Sequence, residues 1–78
     1  MDKIQKFVHK LSAHEANRVL GAIARVQLGK LGTLDVKKLK GYASRYRVRV
    51  GRMRILFARI GDRNIITDVD FRSDNTYS

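Results

Sequence analysis

Apolar residues follow one period in the first third of the chain and another in its last half. Ile4, Phe7, Val8 and Leu11 recur at helical spacing, which predicts an amphipathic helix. Asp2 stands where it can cap that helix. Ser12-Ala13-His14-Glu15 is a capping-box pattern. In such a box the Ser12 hydroxyl accepts from the Glu15 amide while the Glu15 side chain reaches back. It predicts a second helix with Val19, Leu20, Ile23 and Val26 along one face, stopped at Gly29 and Gly32. Two helices this close in sequence form a helical hairpin.

The period then falls from 3.6 to 2. Tyr46, Val48 and Val50 alternate with Arg45, Arg47 and Arg49, the pattern of a half-buried strand. Gly51-Arg52 suits a two-residue hairpin turn, with glycine where a positive φ is needed. In that register Val50 faces Met53, Val48 faces Ile55 and Tyr46 faces Phe57, while Arg49 faces Arg54 on the other side. Gly61-Asp62-Arg63-Asn64 makes a second turn. Beyond it Ile65, Thr67, Val69 and Phe71 alternate with Ile66, Asp68, Asp70 and Arg72. The expected fold is α+β: a helical hairpin packed on one face of a three-stranded antiparallel meander, in a single domain over residues 1–78. Met53 and Phe57 belong to its core.

Composition narrows the classes. A chain of 78 residues buries only about 60% of the surface its unfolded form exposes, so the core is thin. No cysteine is present, which excludes a disulfide scaffold and a thiolate metal site and fits a reducing, cytoplasmic setting. No apolar run approaches the roughly 18 residues of a membrane span, and charges interrupt the N-terminal apolar positions, unlike a signal peptide. The net charge is +10. Residues 37–63 hold ten bases and one acid, so this segment carries +9 of it. A field this concentrated suits a polyanion, above all nucleic acid.

The densest part is residues 45–57, RYRVRVGRMRILF, with five arginines. Strand alternation sorts it into a core face and an arginine face. Like charges directly opposite on paired strands destabilise them, and no acid is interleaved within the stretch, so the cluster reads as a seat for an anion. His9 and His14 lie on helices away from it. Asp68, Asp70 and Asp74 are too loosely spaced to argue for a metal, and no cofactor is expected.

KKLKGYASRYRVRVGRMRILF, followed by DVDFRSDNTY, resembles the RelE/ParE superfamily of bacterial toxins from toxin–antitoxin systems, in its RelE-like branch, over about residues 2–78. The resemblance implies a metal-independent endoribonuclease that cuts messenger RNA on the ribosome. Carried over by position, Arg47, Arg49, Arg54, Arg72 and Tyr77 are the catalytic set. Lys38 and Lys40 match a basic loop that contacts RNA backbone, and Lys37, Arg45 and Arg52 are neighbouring RNA contacts. The chemistry suits these groups. RNA is cut when its own 2′-hydroxyl attacks the adjacent phosphate, and guanidinium forks match the charge that develops on phosphate oxygens.

The chain departs from the family in four ways. Related toxins often carry lysine where Arg47 and Arg49 stand, and arginine is a poor general base because it stays protonated. The family's first strand has no counterpart, since the chain opens into a helix. Phe71 replaces a common histidine. Asp70 takes a place often held by glycine, beside Arg72. Two other activities fit the resemblance: inhibition of DNA gyrase, as in the ParE branch, and RNA binding without chemistry. The implied partners are an acidic antitoxin, messenger RNA and the ribosome. A strand from the antitoxin or from a second copy is expected to fill the open edge at residues 65–71.

Overall fold

The computed structural model of the chain describes residues 2–41 and 44–71. Helices α1 (Lys3–His9) and α2 (Ala13–Gln27) precede four strands, β1 (Asp35–Lys38), β2 (Arg45–Val50), β3 (Met53–Ile60) and β4 (Arg63–Phe71). The sheet is antiparallel throughout, in the order β1-β2-β3-β4. Both helices pack on one face of it. No described helix is long and apolar enough to cross a membrane.

The two helix starts form as their sequences dictate. The Asp2 carboxylate accepts from the Gln5 amide at 2.9 Å and the Ser12 hydroxyl from the Glu15 amide at 3.2 Å. The Glu15 side chain does not close the capping box; it engages Arg52 on the β2–β3 turn. On α2 the buried stripe is Val19, Ala22 and Val26, with Ile23 half-buried. Leu20, expected on that face, is 48% exposed. It sits about 100° around the helix from Val19 and cannot join a stripe built on i, i+3, i+4 and i+7.

The β2–β3 hairpin has the expected register, with Val50 opposite Met53, Val48 opposite Ile55, Tyr46 opposite Phe57 and Arg49 opposite Arg54. Gly51 turns it with a φ of 57°. The meander has four strands where three were expected. The added strand, β1, pairs Val36 with Val48 and Lys37 with Arg47. It escapes a periodicity reading because only Val36 of its four residues is even half-buried.

β4 departs further. Between Leu56 and Phe57 of β3 its register skips a residue: Leu56 faces Asp68 and Phe57 faces Ile66. Thr67 is the extra residue of a bulge, and its hydroxyl donates to the Leu56 carbonyl at 3.2 Å. The bulge reverses the facing of the strand's first half. Val69 is buried as expected, but Asn64 and Ile66 turn toward the helices and Ile65 turns out, 42% exposed. Buried Asn64 then ties sheet to helix, its Nδ2 donating to the Val26 carbonyl at 2.9 Å. Asn64→Ala is expected to destabilise the fold by about 0.5–1.5 kcal/mol, the net worth of one hydrogen bond, because the Val26 carbonyl still accepts from the Gly29 amide at 3.0 Å. Urea unfolding tests this, and an unchanged midpoint would discount the bond.

Candidate functional site

The helices cover one face of the sheet, and most of the charged side chains of the strands project from the other. β2 turns Arg45, Arg47 and Arg49 to that outer face, because its valines take the inner positions. Antiparallel register then aligns side chains in rows. One row runs Asp35, Arg49, Arg54, Asp70 from β1 to β4. The next runs Lys37, Arg47, Leu56, Asp68. Arg45 lies beyond them, opposite Ala58.

The arginine cluster therefore has carboxylates after all, supplied by the strands on either side. Arg54 donates from Nε and Nη2 to the two Asp70 oxygens at 3.1 and 3.0 Å. Arg49 Nε lies 3.8 Å from the nearer Asp35 oxygen, a loose pairing. Asp68 is held by Lys3 of α1 at 2.9 Å. The face is polarised as a result. Lys37, Arg45, Arg47 and Arg49 load the β1–β2 half against Asp35 alone, while β4 presents Asp68 and Asp70.

Arg47 stands out within this face. Its Nη1 is buried and has no hydrogen-bond partner among the described residues. A buried unmet donor costs about 1–3 kcal/mol, and more when it is charged. A phosphate oxygen would satisfy it.

Other expected site residues lie elsewhere. Lys38 pairs with Tyr46 and falls on the helix side at the exposed end of β1; Lys40 follows, also exposed. Arg52 leaves the arginine face altogether. It donates to both Glu15 oxygens at 2.7 and 3.1 Å, and its guanidinium covers the Phe71 ring at 4.6 Å. Phe71 in turn packs on Phe7, with ring centroids 4.8 Å apart. Arg72, Tyr77 and Asp74 are outside the described residues.

Arg52's hydrogen bonds, chiefly, hold the Glu15 carboxyl below its usual value. A lowered folded-state pKa stabilises above the ordinary carboxylate range, and that contribution disappears as pH falls through the lowered value. Glu15→Gln should therefore melt below the parent at neutral pH and match it well below about pH 4. Thermal melts at the two pH values check this.

Asp35 and the Arg54–Asp70 pair were not foreseen from sequence. The sequence places Asp70 on the arginine face beside Arg72, and does not reveal that it pairs with Arg54. A carboxylate standing opposite an arginine on a third strand is visible only once both hairpin registers are known.

No family model matches the chain, and no curated protein matches it. Its fold is RelE-like, and a solved structure shares it: a chain of the RelB–RelE antitoxin–toxin complex from Methanococcus jannaschii is 32% identical, with a TM-score of 0.71 over 85% of this chain and 80% of that one.

Proposed function

We propose that this chain, which belongs to the RelB–RelE toxin–antitoxin family, is the toxin of its pair and cuts messenger RNA on the ribosome without a metal. The observation that carries this reading is the half-buried Arg47 on the outer face between Arg45 and Arg49, whose Nη1 has no partner among the described residues. A fold that leaves a cationic donor unmet gains when an anion arrives.

The scissile phosphate sits at Arg47 and Arg49, with Arg54 across the hairpin. These forks stabilise the charge that grows on the phosphate oxygens as the 2′-hydroxyl attacks, and they are in place before the reaction begins. Arginine cannot take the hydroxyl proton. Asp70, fixed by Arg54 on the same face, is a carboxylate that can. Arg72 completes the set as a further phosphate contact, and the Tyr77 phenol gives its proton to the 5′-oxygen as that oxygen's bond to phosphorus breaks, which leaves a 2′,3′-cyclic phosphate. Lys37, Lys38, Lys40 and Arg45 line the approach of the RNA backbone. Arg52 is left out, because Glu15 and Phe71 hold it on the helix side.

The partner is an acidic antitoxin that covers the β1–β2 half of this face. Opposite fields make such an association fast and weaker in salt.

The test is a cell-free translation reaction with purified protein, read by primer extension. Discrete cuts within the message support the reading, and a message left intact at every codon overturns it. RNA binding without cuts would assign the second reading, a non-catalytic relative. That reading is favoured by the bidentate Asp70 contact, which offsets the Arg54 charge.

A further inference from the structure

A second basic site lies behind the arginine face. α2 and the β1–β2 edge enclose a groove of about 430 Å³, lined by Asn17, Arg18, Gly21, Arg25, Thr33 and Arg49, with Asp35 at Arg49. We infer that this groove binds a nucleotide of a single-stranded RNA, whose chain continues over the β1 edge onto the arginine face. The inference rests on the proposed action on RNA.

Three observations support it. The first is charge. Arg18 and Arg25 lie seven residues apart on one side of α2, and no carboxylate among the described residues pairs with either. Arg25 donates to the Thr33 hydroxyl at 3.3 Å, which aims its fork along the groove. Three arginines against one aspartate leave the lining positive, and planar forks suit phosphate. The second is shape. The volume falls in the range of small-ligand pockets, about 300–1,000 Å³, so it can take one nucleotide and excludes a duplex. Asn17 and Thr33 supply side-chain groups for a ribose or a base edge.

The third is Gly21. Glycine within a helix is unfavourable relative to alanine, so it needs a reason. Packing is not that reason, since a Cβ built there would meet nothing within 4 Å. Positive φ is not either, because Gly21 is absent from the glycines with that conformation. The missing side chain leaves the groove floor open. Arg49 joins the two sites, because it lines the groove and also stands opposite Arg54 on the outer face.

The experiment measures affinity of the full chain for a 12-nucleotide single-stranded RNA by fluorescence anisotropy, across a salt series. Gly21→Leu fills the groove without changing charge and favours the helix, so it should fold and lose about tenfold in affinity. Arg18→Ala/Arg25→Ala should lose at least as much, with a salt slope shallower by about 1.4, or 0.7 for each lost phosphate contact on a single strand. Lys6→Ala/Arg63→Ala removes the same charge elsewhere and should lose much less.

Wild-type affinity in Gly21→Leu, or equal losses in both double variants, overturns the inference. So does a loss confined to affinity for the protein partner, which would make the groove the partner's seat. The readout does not need cleavage. If the chain binds the oligonucleotide through the groove and cuts nothing, the proposed activity fails and the groove stands. If it cuts messages while Gly21→Leu binds normally, the reverse holds.

Discussion

Arg47→Met should lower message cleavage by about 10²–10³-fold, the usual cost of removing one preorganised donor to a developing oxyanion. The same change should raise stability. Methionine keeps the apolar stem against the sheet and removes the buried Nη1, which has no partner among the described residues. Deleting an unmet buried donor recovers about 1–3 kcal/mol. Opposite movements of activity and stability are the signature of a group retained for function. A purely structural arginine would lose both together. Cleavage in the translation reaction and urea unfolding of the same preparation decide between them. A variant that cuts normally removes Arg47 from the site.

Phe57→Ala should have the largest effect on folding. Phe57 is 1% exposed, at the centre of the core, with Tyr46 stacked on it at a centroid distance of 5.2 Å. It is paired with Tyr46 on one side and Ile66 on the other. Truncating a buried phenylalanine costs about 3–5 kcal/mol. A single core in a chain this short rarely supplies more than about 3–5 kcal/mol in all. The isolated variant should therefore be largely unfolded at room temperature, with its sheet signal lost in circular dichroism. A cooperative transition near the parent's midpoint would show that the core closes around the gap.

What the sequence made legible follows from how far each signal reaches. The β2–β3 hairpin is local: alternation defines the faces and Gly51 sets the register, so Arg49 opposite Arg54 follows from the sequence alone. β1 has one half-buried apolar residue and gives alternation nothing to work on. The bulge hides because Ile65 and Ile66 are adjacent and both apolar, so either facing satisfies the pattern. Only the pairing to β3, with Asn64 reaching Val26, settles it. Arg45, Arg47, Arg49 and Arg54 are local, and alternation alone puts them on one face. Their counterions are not local. Asp70 lies 16 residues from Arg54 and Glu15 lies 37 from Arg52, and nothing in the intervening sequence announces either pair. Arg52 looked like a member of the arginine row because it is near the others in sequence, but a turn residue is not bound by strand alternation.

The Thr67 bulge also governs what can dock beside β4. Among the described residues that strand is the last of the sheet, so its outer side is where another strand would add. A segment laid along it meets the kink at Thr67. Two residues later it meets the Val69 amide, which already donates to the Asp68 carboxylate at 2.8 Å. A long, regular strand cannot follow that path without breaking its own ladder. The edge thus works as a gauge. It admits a short extended segment on one side of the kink, or a longer one with a matching extra residue. Two copies could join there only with both kinks in phase. The same irregularity that reverses Ile65 and Ile66 guards the chain against open-ended stacking into fibrils.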